Sequence, residues 1–161
     1  MIQLNIIHHA YLTNVRKVLI LGSSCVYPKY ALQPMKESYL LTNSLEPTNE
    51  GYALSKIIGL KMSEFYSKQY NMDIISIIPP NLYGENDNFN LKTSHVLSAL
   101  VKKFVDAKEK NINRVTLWGT GTARREFMHV DDIAEASYYF MKYYNHPSFI
   151  NVGWGKDISI K

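Results

Sequence analysis

Cysteine is almost absent from this 161-residue chain. The single Cys25 excludes an intramolecular disulfide and a multi-cysteine zinc site, and it is compatible with a reducing compartment. Long apolar stretches are missing as well: none exceeds about five residues, against the ~18 that a spanning helix needs, and the first residues show no signal-peptide pattern. A membrane is therefore not an expected partner, and the cytoplasm is the expected location. Charge is not concentrated either. Eighteen Lys and Arg against fourteen Asp and Glu leave a formal net charge of +4, but the basic residues are dispersed among acids instead of forming a stripe. This argues against a nucleic-acid partner and for a solvated surface mildly favourable to a diphosphate. His8, His9, His129 and His146 are not grouped at metal-ligand spacing, so no metal is expected. No repeat, low-complexity tract or Pro/Ser-rich linker divides the chain.

What is present is ordinary for a globular protein, with 46% hydrophobic residues, and reads as helices alternating with strands. Ile2, Ile6, Ile7 and Ala10 recur at helical spacing and Asn14 offers a stop, predicting a helix over residues 1–13 that feeds a strand at 18–22. Residues 29–48 carry Pro34, Pro47 and no period, and read as a long loop of the kind usually kept for function. Ile57, Leu60, Lys61, Glu64, Phe65 and Lys68 make Tyr52–Tyr70 amphipathic, with Asn71 as cap before Ile74-Ile75-Ser76-Ile77-Ile78. These β-branched runs lack polar alternation, as strands buried on both faces of a parallel sheet do. Further on, a Gly/Asn/Asp loop at 84–92 precedes Ser94, the expected N-cap of a helix from His95 to about Lys110. Val115–Trp118 and Glu126–Met128 read as short strands, Asp131 and Asp132 as the caps of a helix at 133–144, and Phe149–Val152 as a last strand. The expectation is a single α/β piece over residues 1–161.

Two stretches carry chemistry. Tyr52 and Lys56 lie one helical turn apart and share a face. A free phenol ionises near pH ~10, and an ammonium beside it favours the phenolate, so such a pair can move a proton near neutrality; the same spacing also suits two ordinary solvated neighbours. Upstream, Gly22-Ser23-Ser24-Cys25 puts small hydroxyls and a thiol at the carboxyl end of the first strand, where open α/β sheets bind ligands. Free thiols and imidazoles, with pKa values near ~8.5 and ~6.5, both exchange protons at working pH. Cys25 and His95 equally suit a small apolar filler and a helix-start residue.

Gly22-Ser23-Ser24-Cys25-Val26-Tyr27-Pro28, Tyr52-Ala-Leu-Ser-Lys56 and Pro80-Asn81-Leu82-Tyr83-Gly84 together resemble the extended short-chain dehydrogenase/reductase superfamily. Within it, Ser-Ser-Cys combined with Ser94-His95-Val96 is similar to the GDP-L-fucose synthase family, and the likeness continues through Trp118-Gly119-Thr120-Gly121-Thr122 and Arg125 to Asp132. The resemblance implies a partial Rossmann-like parallel sheet with helices on both faces, plus part of a small C-terminal substrate lobe. It also implies NADP(H), a GDP-sugar substrate, a homodimer in the complete protein built on the first helix and the Tyr52 helix, and 3,5-epimerisation followed by reduction of a 4-keto sugar. In it Tyr52 is the proton donor for reduction, Lys56 tunes it and holds the nicotinamide ribose, and Ser23, with Ser24 as the alternative, polarises the carbonyl. Cys25 and His95 are the acid-base pair of epimerisation. Leu21, Gly22, Ser23, Ser24, Lys56, Pro79, Pro80, Asn81, Leu82 and His95 contact the cofactor, and Lys103, Trp118 and Arg125 the substrate. Lys103 stands where the family more often has arginine, which loses the planar fork of a guanidinium.

One expected motif is missing: no Gly-x-x-Gly-x-x-Gly turn precedes Val18. The resemblance therefore implies the middle of a fold whose first three βα units, about 30 residues each, are encoded elsewhere or lost. An epimerase-reductase part is thus weighed against a non-catalytic remnant that binds a nucleotide sugar or pairs with a full-length subunit. A related 4-epimerase or dehydratase is the third reading, disfavoured because Ser23-Ser24-Cys25 replaces the threonine-acid triad of dehydratases.

Overall fold

The computed structural model describes residues 2–161. A first helix, α1 (Ile2–Leu12), leads into β1 (Val18–Leu21). The helix α2 (Glu50–Tyr70) then crosses to β2 (Ile74–Ile78), which pairs parallel with β1 in the register Val18↔Ile74 to Leu21↔Ile77. The short strand β6 (Ile150–Asn151) joins the other side of β2, also parallel, giving the order β1-β2-β6. Two small pairs complete the structure. β3 (Asn81–Tyr83) lies parallel to β5 (Phe127–His129), and β4 (Arg124–Arg125) lies antiparallel to β7 (Ile158–Ser159). The helices α3 (Val96–Glu109) and α4 (Val130–Tyr143) follow β3 and β5.

The parity of the strands sorts the core into two layers. Val18, Ile20 and Ile74 pack with Ile7 and Ala10 of α1, while Ile78 packs with Ile57 and Leu60 of α2. The alternate residues Leu19 and Ile77 face the other way, against Ile133, Ala136 and Phe140 of α4. All five residues of β2 are buried, as the uninterrupted Ile-Ile-Ser-Ile-Ile run predicts. Each strand thus has apolar side chains on both faces because helices cover both faces. No helix of the described residues is long and apolar enough to cross a membrane.

The helix ends follow local chemistry. Asn14 adopts a left-handed conformation, with Val15 N–H donating to Ala10 O and Asn14 N–H to Tyr11 O, the paired bonds of a Schellman stop. Asn71 takes the same conformation after α2, as expected of it. Three expectations are corrected. Val115–Trp118 is not a strand; its Thr116 carbonyl accepts from Lys103 Nζ at 3.0 Å. The N-cap of α3 is His95 and not Ser94, so His95 lies outside the first turn. Helix α4 begins at Val130, capped by His129, whose Nδ1 accepts from Asp131 N–H at 3.3 Å; Asp131 and Asp132 lie within the first turn, where carboxylates suit the positive end of the helix dipole.

The loop at 29–48 is more ordered than its composition suggests. Ala31, Met35, Tyr39, Leu40 and Leu45 pack onto the cluster formed by Val26, Ala53 and Phe149. Its far side is held by a polar network in which Tyr27 Oη donates to Asn151 Oδ1 at 2.5 Å. Asn151 in turn donates from its backbone to Glu37 Oε1 at 2.8 Å and from its amide to Met35 O at 3.0 Å. Burial is the main reason that the Tyr27 phenol is pushed up to about 12, from 10.0, with Glu37 nearby adding to it.

Two expectations follow. Between pH 10 and about 12 the unfolded chain releases the Tyr27 proton while the folded one keeps it, so this contribution to stability is complete below pH 10 and is lost as pH rises through about 12. Denaturant midpoints measured across that range should fall less steeply in Tyr27→Phe, which should itself be about 1 kcal/mol less stable at neutral pH because Asn151 Oδ1 loses its donor; parallel pH profiles would refute this. The second concerns β1, which has one strand neighbour among the described residues. An apolar strand with an unpaired edge recruits another edge, so sedimentation velocity of the 161-residue chain should show concentration-dependent association, and a monomer at every loading would show the edge to be blunted.

Candidate functional site

The carboxyl end of β1 gathers the first group of residues. Val18 N–H donates to Asp73 O and Gly22 N–H to Ile77 O, both across to β2, so by the two-residue period the Leu21 carbonyl points away from β2. Lys56 Nζ donates to it at 2.9 Å and Gln3 Nε2 at 3.1 Å. Lys56 therefore ties α2 directly to the strand end. Burial lowers the pKa of its ammonium. The same nitrogen stands 5.6 Å from the centre of the Tyr52 ring, which the helix carries one turn earlier and leaves about half exposed. Gly22 is required by close approach, since a Cβ there would meet Ile78 Cγ1 at 2.9 Å.

Beyond Gly22 the chain makes a short turn, Ser24–Val26, capped by Ser23, whose Oγ accepts from Cys25 N–H at 3.4 Å. Cys25 is partly buried against the Val26 and Ala53 cluster. Its Sγ lies 3.1 Å from Asn49 Nδ2, an amide at the start of α2. Leu21, Gly22, Ser23, Ser24 and Cys25 on one side and Tyr52 and Lys56 on the other are thus brought to one strand end. Pro79, Pro80, Asn81 and Leu82 follow the carboxyl end of the neighbouring β2, where Asn81 bonds to Glu126 O through both its backbone N–H and its side-chain amide.

His95 is exposed at the start of α3, and no hydrogen bond links it to Tyr52 or Cys25 among the described residues. Its charged neighbour is Asp87, whose carboxyl is held below the usual range chiefly by the Ser98 hydroxyl, then by Asn88 N–H, with a smaller contribution from His95. Asp87 and Ser98 also line a cavity of about 330 Å³ with Tyr83, Phe89 and His129.

The residues expected to meet substrate fall into two places. Lys103 Nζ sits 5.0 Å from the centre of the exposed Trp118 ring, and both line a groove of about 410 Å³ with Lys110, Arg114 and Ile112. Three cations and an indole can hold an anion bearing an aromatic base. Arg125 lies outside the groove lining, exposed on β4, where its guanidinium donates to Arg124 O at 2.7 Å. Its neighbour Arg124 grips Asp157 Oδ1 through Nε at 3.0 Å and through its terminal nitrogen at 2.8 Å.

Sequence reasoning missed Gln3 and Asn49. Nothing in α1 hints that Gln3 reaches Leu21, and nothing around Asn49 hints that its amide reaches Cys25. Among the described residues no cluster of three or more metal-ligating side chains occurs.

The model of the NAD dependent epimerase/dehydratase family matches residues 1–153. GDP-L-fucose synthase 1 of Arabidopsis thaliana is 51% identical over 160 residues, covering 99% of this chain and 50% of that protein. The GDP-L-fucose synthase of Escherichia coli (strain K12) is 49% identical over 170 aligned positions, covering 100% of this chain and 53% of that protein. Among solved structures, the GDP-mannoheptose C4 reductase of Campylobacter jejuni with NADP bound superposes with a TM-score of 0.87 at 34% identity, over 99% of this chain and 58% of that one. The chain spans about half the length of the curated relatives it matches.

Proposed function

From a chain that belongs to the NAD dependent epimerase/dehydratase family, we propose that residues 1–161 form the catalytic middle of an NADP(H)-dependent epimerase-reductase. The substrate of that reading is GDP-4-keto-6-deoxy-D-mannose, converted to GDP-L-fucose. The observation that carries it is the joint at the end of β1: Lys56 bonded to Leu21 O, with Tyr52 one turn away and Ser23 and Cys25 on the adjoining turn. The relatives at about half identity support the substrate class.

The residues at this strand end fit the nicotinamide end of the cofactor. Leu21 is exposed, buried Gly22 lets the strand end close on Ile78, and Lys56 and Ser23 offer donors to a ribose or carboxamide; Gly22, Ser24, Pro79–Leu82 and His95 complete the proposed contacts. The bound cofactor supplies hydride to the keto carbon. Tyr52 Oη gives its proton to the carbonyl oxygen, Ser23 Oγ donates a hydrogen bond to that oxygen, and the Lys56 ammonium favours the phenolate that remains. Epimerisation needs a C–H bond beside the ketone to break toward a base and a new one to form from an acid on the other face. Cys25 and His95 take and return those protons. Lys103 and Trp118 bind the GDP moiety in their groove, and Arg125 closes on the diphosphate from β4. The protein works in the cytoplasm as a homodimer, a second copy covering the apolar side chains Ile2, Ile6, Leu54 and Phe65 that α1 and α2 leave exposed.

The test uses the protein assembled with its cofactor-binding half. Tyr52→Phe should lower NADPH consumption with the keto-sugar nucleotide by at least about a hundredfold, the range typical of a positioned acid, with an unchanged fold. Turnover within threefold of the parent, roughly 0.65 kcal/mol or less, would remove Tyr52 from the reaction. Separately, Cys25→Ser and His95→Gln should each abolish solvent-deuterium incorporation at the sugar carbons while leaving carbonyl reduction detectable; unaltered exchange in either variant would take that residue out of the acid-base pair.

A further inference from the structure

We infer that Asn49 is a positioning residue for the Cys25 sulfur, its side-chain amide stabilising and aiming the thiolate in place of capping α2. The inference rests on the proton-transfer role proposed for Cys25. Asparagine is among the best N-caps because its side chain accepts from a free N–H in the first turn. Asn49 occupies that position, yet it makes no side-chain cap bond. Its Nδ2 instead donates to Cys25 Sγ at 3.1 Å, short for an amide-sulfur contact. The amide donor therefore serves the sulfur, and the Oδ1 acceptor that could cap α2 is left without a first-turn N–H.

The surroundings show why the sulfur needs such a donor. Cys25 is partly buried against the apolar cluster that includes Val26 and Ala53, which offers the sulfur no hydrogen-bond donor. The Asn49 amide supplies one, and the N-terminus of α2 adds a field of the same sign. The ionisable groups nearest in the chain to these contacts are Glu50, Tyr52 and Lys56 in the first two turns of α2, Tyr27 beside the turn, and Glu46, which is engaged by Lys29 at 3.1 Å in the segment leading to α2. Of these and Asn49, only Asn49 bonds to Sγ among the described residues. In proton transfer the substrate C–H electron pair stays on the sugar as the enolate while the proton joins Sγ; the return step reverses both changes. Throughout, Asn49 Nδ2 fixes Sγ relative to the start of α2, three residues before Tyr52.

Two substitutions separate this role from capping. Serine and aspartate are as good as asparagine at an N-cap, so a structural role predicts that Asn49→Ser and Asn49→Asp behave like the parent. Control of the sulfur predicts otherwise. Cys25 is the one cysteine of the chain, so alkylation by iodoacetamide, followed by mass, reports it alone. The rate-against-pH profile should be displaced to higher pH in Asn49→Ser, as loss of a hydrogen bond to the charged form requires. The displacement should be larger in Asn49→Asp, with thermal unfolding close to the parent's. Unchanged profiles in both variants would overturn the inference. A profile that shifts while solvent-deuterium exchange in the assembled enzyme stays at the parental rate would uphold Asn49's hold on the sulfur and overturn the catalytic role of Cys25.

Discussion

The carbonyl of Leu21 is the joint on which the candidate site depends. It belongs to the last residue of β1 and faces away from the β2 ladder, so no strand in the described residues accepts its partnership. A backbone acceptor without a partner is costly, and two side chains from different helices satisfy it. Gln3 brings α1 to the strand end and Lys56 brings α2. The bond from Lys56 is charge-assisted, and the ammonium that makes it is partly desolvated, which is the cause of its lowered pKa. One interaction thus fixes the helix on the sheet and places a cation beside the Tyr52 ring.

Three ion pairs do less. Lys29–Glu46, Lys102–Asp106 and Arg124–Asp157 lie on the surface, where solvent screening leaves an ion pair little net effect. Their value is local geometry. Arg124, held in a fork on Asp157, pins β7 to β4 and so sets where the adjoining Arg125 emerges. The half-buried network of Tyr27, Asn151 and Glu37 differs because its members are partly withdrawn from water and matched to one another. It joins the turn after β1 to the end of β6, which keeps the loop at 29–48 folded against the site.

The core was legible in the sequence because its signal is local. Val18–Leu21 is apolar throughout and Ile74–Ile78 is broken only by Ser76, short β-branched-rich runs that suit a strand covered on both faces, and Tyr52–Tyr70 repeats apolar residues at helical spacing over five turns. The errors arose where tertiary contacts decide. Val115–Trp118 has strand-like composition, but no neighbour offers it a ladder and its Thr116 carbonyl is taken by Lys103. β3 and β7 are three and two residues long, and pairing with β5 and β4 makes them strands. Ser94 is a better cap than His95 by type, yet its hydroxyl is buried without a hydrogen-bond partner among the described residues, and the helix starts one residue later. The catalytic candidates were legible through motif spacing and resemblance. Gln3 and Asn49 were not, because their partners lie 18 and 24 residues away.

Those two unforeseen contacts change how the site is understood as a mechanical object. Asn49 and Lys56 stand at the two ends of the first two turns of α2, and each bonds to the chain leaving β1: Lys56 to the last strand residue, Asn49 to the turn four residues on. Tyr52 lies between them on the same uninterrupted helix. A shift of α2 along or across the strand end would therefore move the phenol, the amine and the sulfur's partner together. Packing of Ile57 and Leu60 against Ile78 resists such a shift, since a close-packed core has no intermediate positions to offer. The arrangement of proton-bearing groups is thus set by apolar packing one turn beyond them, and the two hydrogen bonds convert that packing into the positions of a nitrogen, an oxygen and a sulfur.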